Sequence, residues 1–112
     1  MMVDKSHIAD GLGAHATYAV VIAAYNAART ISRTIDSVLA QTWPADEVIV
    51  CNDGSTDNTA DVLAEYAGRI SVIDQPNEGL SSARNALVRT AHSEFVALLD
   101  ADDAWLPERL QR

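Results

Sequence analysis

From Thr17 onward the chain repeats one pattern: an apolar run, a polar loop, then an amphipathic stretch, four times over. Alternating strands and helices look like this in sequence, and the alternation leaves few architectures open. The first run, Tyr18-Ala19-Val20-Val21-Ile22-Ala23, is continuous and β-branched, which predicts a strand covered on both faces. A helix follows from about Ala28 to Gln41, with Ile31, Ile35, Val38 and Leu39 on one face, and has ended by Pro44. The second strand spans Glu47 to Cys51. After the turn Asn52 to Asp57, a helix runs through Val62, Leu63 and Tyr66 and stops near Gly68. A third strand, Arg69 to Ile73, leads through the loop Asp74 to Gly79 into a helix from about Ser81 to Ala91, and the fourth strand is Glu94 to Leu99. This order predicts an α/β fold with right-handed crossovers and a mainly parallel sheet with helices on both faces. Residues 1–16 show no periodicity and read as a loose leader ahead of one domain over 17–112.

In such a sheet the ligand crevice lies outside the carboxyl ends of the strands. One polar cluster follows each strand: Tyr25-Asn26, Asp53 to Asp57, Asn77 to Gly79 with Arg84-Asn85, and Asp100 to Asp103. All four are therefore expected on one edge, as a binding site requires.

The last cluster is the most pointed. Five apolar residues, Phe95 to Leu99, end in three carboxylates within four positions, Asp100, Asp102 and Asp103. Such crowding costs repulsion unless a cation or proton relieves it, and hard divalent ions take oxygen ligands of this kind, sharing them with substrate phosphates. The alternative is structural: Asp102 or Asp103 as N-cap of a last helix through Leu106 to Leu110. Tyr25 offers a flat ring on which a base can stack, although such a tyrosine is more often a packing residue. Asn26 can cap the helix that follows it. Asp53 can accept a hydrogen bond from a base N–H, beside a Gly54 that frees the turn. Asp57 reads mainly as a cap of the second helix. Arg84 stands near the start of a helix, where backbone amides and a guanidinium fork can face phosphate; a surface salt bridge is its plain alternative.

At 112 residues the chain has room for one domain, and its net charge of -8 makes it a poor partner for nucleic acid. A phosphorylated ligand then needs a metal ion or placed arginines. The single Cys51, inside an apolar run, allows no internal disulfide and reads as a small core residue. Trp43 and Trp105 read as packing residues, and His7, His15 and His92 lack metal-ligand spacing. The longest apolar stretch is too short to span a membrane, and no secretory signal is legible.

Taken together, Val20-Val21-Ile22-Ala23-Ala24-Tyr25-Asn26, Ser37 to Thr42, Glu47 to Asp57, Asn77-x-Gly79 with Ala83-Arg84-Asn85, and Leu98 to Asp103 resemble the amino-terminal half of a family 2 glycosyltransferase. The likeness runs from about Tyr18 to Leu110. It implies a Rossmann-like, GT-A type three-layer sandwich with the first four strands in order 3-2-1-4. It also implies a site for a nucleotide-diphosphate sugar, a UDP-sugar foremost: Tyr25 and Asp53 near the base, Arg84 near the ribose or diphosphate, and Ala23, Asn26, Gly79 and Asn85 also on the substrate. Asp100 to Asp103 stand as the family's D-x-D region, with Asp100 and Asp102 toward the substrate and Asp102 and Asp103 nearest a Mn²⁺ or Mg²⁺ ion. That ion neutralises charge on the departing nucleoside diphosphate. A glycan, lipid or protein is the implied acceptor, and the cytoplasm or the inner face of a membrane the implied location.

Two departures stand out: Ala23 or Ala24 where the family usually has proline, and Asn52 in place of the first of an Asp pair. The sequence also ends just past the acidic cluster, which reads as a truncation before the acceptor half and its general base, so the catalytic base is unknown. Two other functions fit parts of the chain. A non-catalytic interaction module would self-associate through surfaces left uncovered. A nucleotidyltransferase would use similar carboxylates, but no Gly-rich phosphate loop with a following lysine is present.

Overall fold

A computed structural model of the protein describes residues 2–4, 17–41 and 44–102. Its strands are β1 (Met2–Asp4), β2 (Tyr18–Ala24), β3 (Glu47–Asp53), β4 (Ser71–Gln75) and β5 (Phe95–Asp100); its helices are α1 (Ile31–Leu39), α2 (Thr59–Ala64) and α3 (Leu80–Thr90). The strands form one sheet in the order β1-β5-β2-β3-β4, with β2, β3, β4 and β5 parallel. The four strands expected from the sequence therefore lie in the order 3-2-1-4, as the resemblance implied.

The apolar run of β2 lies at the centre because it pairs on both sides and is covered on both faces. Its alternation divides the core in two. Val20 and Ile22 pack with Ile31, Ile35 and Val38 of α1 and Leu63 of α2. Ala19 and Val21 pack with Ala83 and Leu87 of α3, together with Ile49, Cys51 and Val96. Helices thus cover both faces in three layers. Val20, Val21 and Ile22 are fully buried, each worth about 1.5–3 kcal/mol relative to exposure. Cys51 is buried in the second of these layers, the core position expected for it.

The boundaries differ from expectation where long-range pairing overrides local composition. The strand expected to stop at Cys51 continues through Asn52 and Asp53, because Asn52 pairs with Ala24 on one side and Asp74 on the other, and Asp53 with Gln75. The third strand sits two residues later than expected, at Ser71–Gln75, since Ile70 forms a separate bridge with Ala67. The first helix opens at Ile31, after a turn in which the Thr30 and Ile31 N–H groups both donate to the Ala27 carbonyl. The second ends at Ala64, short of Tyr66. Part of the leader is not loose: Met2–Asp4 pairs antiparallel with β5, Met2 opposite Ala97 and Asp4 opposite Phe95, because that edge of β5 is open to any extended segment. The helix expected over Leu106 to Leu110, along with Trp43, Trp105, His7, His15 and Asp103, lies outside the described residues. No helix of the described residues is long and apolar enough to cross a membrane.

Candidate functional site at the carboxyl edge of the sheet

The parallel register sets the polar strand ends beside one another. Ala23 lies level with Cys51 on one side and Asp100 on the other, and Asp53 lies level with Gln75. The clusters separated in sequence by 25 residues or so therefore meet at one edge.

Asp53 is the hinge of this edge. It is only 4% exposed, and both oxygens of its carboxylate accept hydrogen bonds: Oδ1 from Gln75 Nε2 at 2.8 Å and from the Glu78 N–H at 2.9 Å, and Oδ2 from the Gly79 N–H at 3.0 Å. Burial pushes its pKa up, but these three bonds outweigh it and hold the carboxyl below the usual range. Asp53 thus ties the end of β3 to the loop that starts α3. Gln75 was not singled out from the sequence, where it reads as one more polar residue of a loop; only its register opposite Asp53 reveals it.

Beside it, the turn after β3 is clasped to the end of β2. Asn26 adopts a left-handed φ of 50°, which asparagine tolerates better than most residues. Its Oδ1 accepts from the Thr56 N–H at 2.7 Å, the Asp57 N–H at 3.2 Å and the Thr56 hydroxyl at 3.3 Å. Its own N–H donates to Ser55 Oγ at 2.9 Å. Asn26 therefore caps a neighbouring loop and not the helix after it. The N-cap position of α2 is Asn58, not Asp57; Asp57, one residue earlier, accepts from the N–H and hydroxyl of Thr59, the first residue of α2, and also from the Ala28 N–H at 3.3 Å.

Between these loops and α3 lies a cleft of about 220 Å³. Ala23, Ala24 and Tyr25 form one wall, Asp53 the floor, and Asn77, Gly79, Leu80 and Ala83 the other wall. Tyr25 and Leu80 are 49% and 51% exposed, two large apolar side chains flanking one opening. Gly79 closes α3 at its N-terminal end with φ 97° and ψ 163°, a conformation open essentially to glycine alone. Of the residues expected on a substrate, Ala23, Tyr25, Asp53 and Gly79 line this cleft. Asn26 is engaged with the Ser55–Asp57 turn, and Asn85 is exposed on α3 away from it.

Arg84 and Asp100 stand next to the cleft. Arg84 Nη2 donates to Asp100 Oδ1 at 3.1 Å, with side chains 43% and 58% exposed. The pair lies beside the cleft because Asp100 is the sheet neighbour of Ala23 and Arg84 follows Ala83. Asp102 is exposed in the turn beyond β5. Among the described residues no cluster of three or more His, Cys, Asp and Glu groups is arranged to hold a metal ion.

Known proteins resemble this chain in sequence and in fold. Residues 19–112 match the family described as Glycosyl transferase family 2. An uncharacterized glycosyltransferase of Nostoc sp. (strain PCC 7120) is 47% identical over 97 residues, covering 83% of this chain and 30% of that protein. S. aureus TarS 1-349 in complex with UDP-GlcNAc superposes with a TM-score of 0.75 at 29% identity, over 85% of this chain and 29% of TarS. The mannosyltransferase PcManGT from Pyrobaculum calidifontis, in complex with GDP-Man and Mn²⁺, gives a TM-score of 0.75 at 28% identity, over 80% of this chain and 28% of its own. The chain thus spans less than a third of the length of each of these proteins, and it shares with the solved enzymes the GT-A sheet. Matched over most of its length by one family and built on that family's fold, the chain belongs to glycosyl transferase family 2.

Proposed function

We propose that this chain binds the nucleoside diphosphate of a sugar donor, a UDP-sugar foremost, at the carboxyl edge of its sheet, for transfer of the sugar to a glycan, lipid or protein acceptor. The observation that carries the reading is the convergence of Tyr25, Asp53 and the start of α3 on one cleft, with the Arg84–Asp100 pair beside it. In this reading the half-exposed ring of Tyr25 stacks on the base. Asp53 Oδ2 accepts one protein hydrogen bond and, as a carboxylate oxygen, has capacity for a second from a base N–H. The cleft is smaller than the roughly 300–1,000 Å³ that encloses a drug-sized ligand, which suits it to the base, with the diphosphate running out toward Arg84. There the first N–H groups of α3 have no partners within the helix and favour an anion.

A net charge of -8 opposes a diphosphate, so Arg84 must leave Asp100 for the phosphate or share its fork between them. Asp102 and Asp103 would hold a Mn²⁺ or Mg²⁺ ion, with Asp100 supporting, and the ion would offset the charge that builds on the leaving nucleoside diphosphate. The support from relatives is of the same kind: one neighbour is bound to UDP-GlcNAc, another to GDP-Man and Mn²⁺. In this reading the chain works in the cytoplasm or at the inner face of a membrane.

Calorimetric titration of the purified chain with UDP, with and without Mn²⁺, tests the reading. Metal-dependent binding is expected, weakened roughly 5- to 100-fold by Tyr25→Ala if the ring stacks on the base. A folded chain that binds none of UDP, GDP and dTDP overturns the reading and favours an interaction module.

A further inference from the structure

Two threonines of the first helical turn reach across the molecule to one carbonyl. Thr34 Oγ1 lies 2.8 Å from the Ala101 carbonyl oxygen and Thr30 Oγ1 lies 3.0 Å from it. Ala101 is the residue between Asp100 and Asp102. We infer that Thr30 and Thr34 are positioning residues which fix the peptide between these two carboxylates; the inference rests on the donor-site reading above.

Each hydroxyl has a local alternative, the back-bond a helical threonine ordinarily makes. For Thr34 that acceptor is the Thr30 carbonyl at 3.3 Å, and for Thr30 the Ala27 carbonyl at 3.5 Å. In both cases the Ala101 oxygen is nearer. A carbonyl oxygen has two lone pairs and can take both protons.

The placement of each threonine is otherwise wasteful. Thr34 is fully buried among Ile31, Ile35 and Val38, where a valine would fill the same space without a hydroxyl to satisfy. Thr30 occupies the N-cap position of α1, yet its side chain makes no capping bond to that helix. An N-cap threonine normally accepts from the helix; this one donates to a residue 71 positions away. Two polar side chains, one helical turn apart, thus serve a single distant oxygen. Ligands of a cation are held to tolerance by groups of this kind behind them, and loosening such groups costs affinity without touching a ligand.

The test uses the whole chain and two titrations, UDP in the presence of Mn²⁺ and UDP in its absence. Thr34→Val, which keeps the shape and removes the hydroxyl, is expected to weaken metal-dependent UDP binding roughly three- to tenfold and leave metal-free UDP binding at the wild-type value. Thr34→Ser restores the hydroxyl and the metal-dependent affinity. Should Thr34→Val fail to fold, Thr30→Val removes one donor at an exposed position and is expected to weaken the metal-dependent binding alone, by about threefold. Wild-type metal response in the folded valine variants overturns the inference while leaving the donor site standing. Absence of nucleotide binding by the folded wild-type chain removes the donor reading itself, and the inference with it.

Discussion

Gly54 and Asn77 meet backbone to backbone: a β-carbon at position 54 would lie 2.4 Å from the Asn77 nitrogen and 2.9 Å from its α-carbon. Gly54 also has φ +70°, so an alanine there carries both a conformational cost of about 1–2 kcal/mol and a clash with atoms that cannot rotate away. Gly54→Ala is expected to lower stability by more than that conformational cost and to weaken UDP binding by opening the cleft wall that Asn77 forms. Gly68→Ala is the control: φ is +89°, with nothing within 4 Å. It should lose only the conformational part and keep wild-type affinity. Urea denaturation and calorimetry on the two variants compare them directly.

Arg84 and Asp100 form an exposed pair, and such pairs contribute about 0–1 kcal/mol to stability. Arg84→Ala and Asp100→Asn should therefore each move the unfolding midpoint little. Their expected effect on Mn²⁺-dependent UDP affinity is a drop of roughly tenfold or more, which is the signature of a binding role. Arg84→Lys should fall between, keeping the charge and losing the fork. Equal UDP affinity in all three variants would leave the pair as a plain surface salt bridge.

Glu47 predicts the opposite combination. At the other end of β3, its Oε2 accepts from the Ser93 hydroxyl at 2.6 Å, the Ser93 N–H at 2.8 Å and the His92 N–H at 2.9 Å, fixing the entry to β5. Glu47→Ala is expected to cost about 1–3 kcal/mol by leaving those donors without their acceptor. Because the site lies at the far edge, the folded fraction should bind UDP as the wild type does. Chemical denaturation and titration on the same preparation check both halves.

Stability should pass through a plateau in pH with a separate cause at each end. Burial pushes the Asp53 and Glu47 carboxyls up, but their hydrogen bonds hold both below their usual values of 3.8 and 4.5. Their contribution is present above about pH 4–5 and lost as pH falls through the lower folded values. Burial first, then the charges of Asp53, Asp74 and Glu78, pushes the Cys51 thiol from 9.0 up to about 11. Burial and Asp46 push Tyr18 from 10.0 up to about 12. Those contributions are present below pH 9 and lost as pH rises through 11 to 12. Cys51→Ala should flatten the alkaline limb between pH 9 and 11 in a denaturation series, and an unchanged limb would rule the thiol out as its cause.

The strand-and-helix alternation was legible because it is written locally. A β-branched run such as Tyr18 to Ala23 and a helical stripe such as Ile31, Ile35 and Val38 announce themselves within a few residues. The polar clusters at the strand ends were legible for the same reason, and parallel topology alone implied that they share an edge. Element ends were less so. Nothing in Asn52-Asp53-Gly54 as a string distinguishes a turn from the last two residues of a strand; the pairing of Asn52 with Ala24 and Asp74 does.

What the sequence by itself determined, then, is the class of fold, the side of the sheet on which chemistry gathers, and a family likeness carried by motifs in order. What only the tertiary structure decided is which polar groups bind one another across that edge. Asn26 spends its oxygen on the Thr56 and Asp57 amides, Asp53 holds the Glu78 and Gly79 amides, and Thr30 and Thr34 turn to the Ala101 carbonyl. The physical reason is range. Hydrophobic periodicity is a property of neighbours along the chain, whereas a hydrogen bond forms within about 3 Å between residues that here stand 25 to 71 positions apart, and no local pattern records which of many possible partners the packed core brings within reach.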